Sequence, residues 1–456
     1  MNDDARFERL FADGLHELTP RRAPDRLRTQ IKAATDEVRP RPRWLALIKE
    51  PPMRTNSRLA VGSPTARVAA IMVATLLAAV MLVSAGIAGS QIFAATSPII
   101  VDQSGDGTYE TITEAVAMAE DGAEILVRPG SYVEAVLIDK DITLAGDGPR
   151  EDIVISAPVD GPTTVYEAPG VLRFEPAYAL VIEDTQAEVR GLTFAGPESE
   201  VAGLTAAVVV DGGSPTLTDL VFDENEFGLL IHSGSMATLS DSLMTVGGIE
   251  FSDSEPLIVS NVLRDGAGIT GGGGGVIRDN ALSGGGGIGA VGTPLIEGNT
   301  VSGADSAGIS SSSMEGDAGA PVIRDNTISG SRHGIQVGSG WDYDPSADAG
   351  TDAAAAIPTI SGNDVSAELN AISVSDTNAM VTDNTVHDSW NGIVYVGSGS
   401  AEIVGNDIEV DGIGIDIGAN TSPTVDGNDA CGGLASIKVH DDSEPSMGEN
   451  TTCDAA

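Results

Sequence analysis

The feature that most constrains this chain is a spacing. Asparagines recur through its C-terminal half at Asn261, Asn280, Asn299, Asn326, Asn363, Asn384, Asn406, Asn428 and Asn450. Successive separations are 19, 19, 27, 37, 21, 22, 22 and 22 residues, and the two long ones contain insertions. Around each marker the same skeleton returns: apolar-x-x-Asn-x-apolar, a short turn, then Gly-Ile-x-Val or a close variant. APVIRDNTISGSRHGIQV (Ala320–Val337) and AEIVGNDIEVDGIGIDI (Ala401–Ile417) are two instances. The apolar runs are short and rich in Ile and Val, which suits strands and not helices. A period near 22 residues then predicts a solenoid, one coil per repeat, with each coil stacked on the last at about 4.8 Å. Inward Ile, Val and Leu form columns. The marker asparagines fall at one corner, where their amides bond to the coils above and below and the residue tolerates a left-handed backbone.

The stretch ahead of the repeats, VDQSGDGTYETITEAVAMAEDGAEILVRPGSYVEAVLIDKDITLAGDG (Val101–Gly148), reads as a short helix followed by the first strands. Thr111 and Glu114 have the spacing of a capping box, and Ile112, Ala115, Val116 and Ala119 share one face. With these repeats the chain resembles right-handed parallel β-helix proteins, the pectate-lyase-like superfamily and its NosD-like bacterial relatives. The first coil is similar to that of pectin methylesterases. The resemblance spans residues 98–456 and implies an all-β, right-handed parallel β-helix solenoid with a short N-terminal capping helix. It says little about activity. The glutamine-rich oxyanion motif, paired aspartates and arginine motif of pectin methylesterases do not follow the first coil. The adjacent aspartates and Gly-His-Gly of polygalacturonases are missing too; Ser331–Gly334, SRHG, matches only in part. Pectate lyases combine acidic calcium ligands with a basic proton abstractor. Here acids abound and bases are few.

Charge divides the chain. Of 24 Lys and Arg and 67 Asp and Glu, the residues up to Arg67 hold 14 and 9, which leaves 10 and 58 beyond. Between them Val68–Gly89 runs for 22 residues without a charge, long enough to cross a bilayer core as a helix. Arg54, Arg58 and Arg67 flank it, so the basic side stays cytoplasmic. The layout is a cytoplasmic tail (1–67), a transmembrane helix (68–92) and an extracellular solenoid (98–456). A cleaved signal peptide fits less well, because its basic leader would be far too long. In the tail, Phe7, Leu10, Phe11, Leu15 and Leu18 have helical spacing, and Leu27, Ile31 and Val38 form a weaker stripe. RPRPRW and KEPPMR then break the pattern. A topogenic, poorly ordered tail and a docking module for an unidentified cytoplasmic partner both fit. The acidic exterior repels phosphates, so nucleic acid is no partner.

Cys431 and Cys453 each follow a marker asparagine by three residues. They occupy one position in adjacent coils, about 5 Å apart, which predicts a disulfide in an oxidising exterior.

The same register gathers a candidate site. Arg332 and His333 lie six and seven residues after Asn326. Leu369 with Asn370, and Trp390 with Asn391, fill those slots in the next coils. Adding the preceding turns gives a strip of Arg332, His333, Glu368, Asn370, His387, Asp388, Trp390 and Asn391. The insertion Gly338–Ala356 brings Trp341, Asp342, Tyr343 and Asp344. Aromatic rings stack on sugars, and carboxylates and amides bind hydroxyls. Arg332 suits a uronate carboxylate, His333 or His387 a base, and Asp342 or Asp344 with Asp388 the acids of a glycosidase. An exposed turn of any solenoid would also be polar. Asp102–Gly107 and Asp342–Asp348 offer closely spaced oxygens to calcium, or ordinary turn chemistry. The glycine runs Gly271–Gly275 and Gly284–Gly287 lack a following Lys-Ser/Thr and are tight corners, not nucleotide loops. His232 and His440 read as structural or surface residues. The expectation is a membrane-anchored surface protein that recognises extracellular polysaccharide, with cleavage left open. A non-catalytic adhesin or stalk is the alternative, and a transmembrane sensor rests on layout alone.

Overall fold

A three-residue Ile-x-Val stretch cannot shelter its own apolar side chains, so it is buried only if similar stretches lie on either side of it. The computed structural model describes residues 97–159, 161–166, 175–196, 204–312, 320–338 and 357–453, and they adopt that arrangement. Each coil contributes to three faces, and strands pair in parallel from coil to coil. The first sheet runs from Ile99–Val101 to Ser446–Met447. In one coil, Leu257–Val259 belongs to it, Val262–Arg264 to the second sheet and Gly268–Gly273 to the third. Strands Thr327–Gly338 and Asp364–Ser375 pass through the corner and serve both second and third sheets.

Register makes the core. Ile258, Ile277, Ile296, Ile323 and Ile360 stack in successive coils of the first sheet, each almost fully buried. Ile269, Ile288, Ile309, Ile335, Ile372 and Ile393 do the same in the third. Apolar side chains thus leave water continuously along the axis, which is the main stabilisation of such a fold.

The marker asparagines stand where the first sheet bends into the second, and they form a hydrogen-bonded ladder. From Asn280 through Asn450, each Oδ1 accepts from both the backbone N–H and the Nδ2 of the asparagine one coil earlier, while Asn261 Oδ1 accepts from the Ser242 N–H. The asparagines themselves are not left-handed. That conformation falls to the preceding residue: Ser260, Asp279, Gly298, Asp325, Gly362, Asp383, Gly405 and Gly427 have φ between 54° and 69°. The bend needs one left-handed residue and one buried amide, and two side chains divide the work.

The second corner explains the Gly of Gly-Ile-x-Val. A Cβ at Gly334 would sit 2.3 Å from both Val365 Cγ1 and the Ala371 carbonyl, and Gly392 is similarly crowded by Ile408 and Gly414.

Helix Ile112–Met118 packs Ile112, Ala115 and Val116 into the same core. Thr111 is its N-cap and accepts from Glu114 N–H at 3.2 Å. The first-turn N–H groups are satisfied from elsewhere: Glu134 accepts from the N–H groups of Ile112 and Thr113 and from the Thr113 hydroxyl. At the other end Cys431 and Cys453 are joined in a disulfide, with Cα atoms 4.9 Å apart. Among the described residues no helix is long and apolar enough to cross a membrane; the run Val68–Gly89 and the tail lie outside them.

Candidate binding groove on the third sheet

In the third sheet, the residue that follows each stacked Ile points outward. Ser310, Gln336, Ser373 and Val394 are four such residues in register across consecutive coils. Just upstream, at the corner, Ala307, His333, Asn370 and Asn391 form a second row. Between and beside these rows lies a groove of about 530 Å³, lined by Ser306, Ser310, Ser311, Ser312, Arg332, His333, Gln336, Asn370, Ser373 and Ser375, with Val394 and Val396 at one end. Its polar chemistry is hydroxyl, amide, imidazole and guanidinium, and Val337, Val374, Val394 and Val396 add apolar surface. Among the described residues no Asp or Glu lines it.

Two atoms in the lining stand out. His333 Nδ1 and Ser373 Oγ are buried, yet neither has a hydrogen-bond partner among the described residues. A buried polar atom without a partner is costly, so a groove holding two of them is suited to a polar guest. Burial holds the His333 imidazole below its usual pKa, and the nearby Arg332 charge adds to this, so the ring is neutral at physiological pH. Arg332 itself is exposed and has no ion pair among the described residues. Elsewhere Arg128, Arg150, Arg190 and Arg324 each have a carboxylate within reach.

The other residues of the strip divide at the corner. Asn391 Nδ2 donates to Asn370 Oδ1 at 3.0 Å, and Asn391 Oδ1 accepts from Ile413 N–H, so these two continue the His333 row as a short amide stack. Glu368 and Trp390 are exposed and do not line the groove; Trp390 is 49 % exposed. His387 ends the second-sheet strand Thr385–His387. There it is clasped by two carboxylates: Nδ1 lies 2.9 Å from Asp388 Oδ2, and Nε2 lies 2.9 Å from Asp364 Oδ1 one coil back. The Asp388 hydrogen bond foremost raises its pKa; burial opposes this, and the Asp364 hydrogen bond and the two carboxylate charges add to the rise. His387 and Asp388 are therefore bonded to a partner set outside the groove. Trp341, Asp342, Tyr343 and Asp344 lie outside the described residues.

The serine wall was not read from the sequence. Ser310, Ser373 and Gln336 occupy the variable position of Gly-Ile-x-Val, and the signal is that this x is polar in three consecutive coils, in contrast to Val394 in the next. The proposed calcium stretch at Asp102–Gly107 is a turn in which Asp102 accepts from the Ser104 N–H and hydroxyl and from Arg128. These bonds, those of Ser104 foremost, lower its pKa to about 2. Among the described residues no group of three or more His, Cys, Asp or Glu side chains is arranged to hold a metal ion.

Among solved structures the chain matches the periplasmic alginate epimerase AlgG at 13% identity over 71% of this chain and 86% of that one, with a TM-score of 0.45. A GH87 α-1,3-glucanase catalytic unit from Streptomyces thermodiastaticus matches at 12% identity over 80% and 71%, with a TM-score of 0.48. Pectin methylesterase PemA from Erwinia chrysanthemi matches at 14% identity over 48% and 81%, with a TM-score of 0.36. No curated protein sequence matches. The family model described as "Right handed beta helix region" matches residues 178–344 and 313–453, well over half of the chain. With its three-faced coils, parallel sheets and asparagine ladder, the chain belongs to the right-handed β-helix family.

Proposed function

We propose that the groove on the third sheet binds extracellular polysaccharide. The observation that carries this reading is the pair of buried, unpartnered polar atoms, His333 Nδ1 and Ser373 Oγ, in a hydroxyl- and amide-lined groove that runs along the solenoid axis. A linear polymer of hydroxylated rings meets both demands: it extends across coils, and it offers donors and acceptors to each. Arg332, with no ion pair among the described residues, is placed to take a carboxylate on the ligand. A polymer charged at every unit is disfavoured, because the chain has a net charge of −43. The lining therefore fits a largely neutral glycan with occasional carboxylates.

Binding is what the described groove supports; the candidate acids Asp342 and Asp344 lie outside the described residues. Glycoside hydrolysis uses two carboxyl groups across the scissile bond, and none lines the groove among the described residues. A neutral His333 can accept a proton but lacks a carboxylate partner there. The solenoid is proposed to lie outside the cell, anchored by a transmembrane helix at Val68–Gly89 with the basic tail in the cytoplasm, and closed at its N-terminal end by helix Ile112–Met118.

The test is retention of the chain on immobilised polysaccharides, neutral and acidic, with and without calcium, against Arg332→Ala and His333→Ala. A second reading, a passive stalk, draws support from the uninterrupted asparagine ladder and the disulfide at its end. It predicts no retention on any polymer.

A further inference from the structure

A second cavity lies on the same face, toward the N-terminal end of the solenoid. It has about 310 Å³ and is walled by Glu226, Phe227, Glu250 and Thr270 over glycine backbone at the corner. The strand register joins it to the first groove. Glu250 pairs with Thr270, Thr270 with Gly289, Gly289 with Ser310, and Ser310 with Gln336. These residues form one outward row, and four coil steps at ~4.8 Å put Glu250 about 19 Å from Gln336. Gly289, between the two cavities, is buried and has no side chain, so the row carries no bulk there. At the corner, Ala307 precedes His333, and Gly248 pairs with Gly268 two residues ahead of Glu250 and Thr270.

We propose that Glu250, Thr270 and Phe227 form a second sugar-binding subsite, and that one linear polymer spans it and the His333 groove. This rests on the reading of the His333 groove as a polysaccharide site. The chemistry of the two ends is opposite in sign. At one, Arg332 offers a cation with no acid in the lining. At the other, Glu226 and Glu250 accept hydrogen bonds from hydroxyls, Thr270 adds its own, and the Phe227 ring supplies an apolar wall for the C–H face of a sugar. Glu250 is half-buried, and its desolvation raises its pKa, so a hydroxyl donor there relieves a cost that an anionic ligand would increase. The ligand class that satisfies both ends has uncharged sugars at Glu250 and a carboxylate near Arg332, with neutral units between.

The experiment measures affinity of the full chain for size-fractionated oligosaccharides of gellan, an acidic polysaccharide whose uronates are separated by neutral sugars. Polygalacturonate and a neutral β-glucan serve as comparisons. Affinity is expected to rise with length until an oligomer reaches both subsites. Glu250→Ala, and separately Thr270→Trp, which fills the groove with an outward indole, should bind the longest oligomers about tenfold more weakly. Both should bind the shortest retained oligomers like the unaltered chain. Two variants of opposite kind, one removing an acceptor and one adding bulk, guard against misfolding of either. Short oligomers retained through Arg332 with no gain from length, or long oligomers bound equally by both variants, would overturn the second subsite and leave the first groove standing. No retention of any polymer would overturn both readings.

Discussion

Asn280 sends two hydrogen bonds to one atom: its backbone N–H and its Nδ2 both donate to Oδ1 of Asn299 in the next coil, each at 3.0 Å. Asn299 in turn donates to the carbonyl of Ile277 and to Asn326. All these groups are buried, so deleting one amide strands donors on one side and a carbonyl on the other. Asn299→Ala is predicted to cost about 3 kcal/mol. Urea unfolding followed by circular dichroism measures it. An unchanged midpoint would mean that water or a shifted neighbour replaces the ladder.

The Cys431–Cys453 bridge closes a loop of one coil, with a sequence separation of 22 residues. Chain entropy assigns such a crosslink roughly 3 kcal/mol. Thiol titration of the denatured, non-reduced protein should find no free thiol, and reduction should release two. Hydrogen exchange after reduction should speed up in residues 424–453 before it does elsewhere, because the last coil has a neighbour on one side only.

His387 makes stability depend on pH in a defined direction. Asp388 and Asp364 raise its folded-state pKa above the ordinary 6.5. Its contribution is complete below that unfolded value and fades as pH rises through the higher folded one. The side chain is 44 % exposed, so after solvent screening the contribution is under about 1 kcal/mol. The protein should be slightly less stable at about pH 8 than at about pH 6, and His387→Gln should reduce that difference. An imidazole titration by NMR at or below the unfolded value would contradict the clasp.

Glu134 holds the start of the N-terminal helix from 22 residues away, accepting from two backbone N–H groups and one hydroxyl. Glu134→Ala should destabilise by about 2 kcal/mol, more than Glu114→Ala, which removes no comparable bond. Thermal unfolding of the two variants compares them directly. Equal effects would restore the reciprocal capping box.

The fold was legible because its period is written in buried residues. Asn326, Asn363 and Asn384 cannot move without breaking the ladder, so counting from them places His333, Asn370 and Asn391 in one row, as the strand register does. The left-handed residue is legible too, in the Asp or Gly before most of these asparagines, although asparagine's own tolerance of that conformation points one residue too far. The site was harder to read. Outward residues such as Gln336 and Ser373 are free to vary as far as the core is concerned, so they look like filler between inward Ile and Val. The partner of His387 was hidden for another reason. Asp364 is 23 residues away in sequence, and only the coil-to-coil pairing of Asp364 with Thr385 brings it within 2.9 Å.

The most direct test of the account is affinity electrophoresis of the full chain through gels containing gellan, polygalacturonate or a neutral β-glucan, beside Arg332→Ala and His333→Ala. The sparsely charged acidic polymer should retard the chain, polygalacturonate should do so little, and Arg332→Ala should bind at least about tenfold more weakly, the loss of one charge-assisted contact. His333→Ala should also bind more weakly, with its unfolding midpoint unchanged. Migration unaffected by every polymer, or equal retardation of all three proteins, would contradict a polysaccharide site at Arg332 and His333.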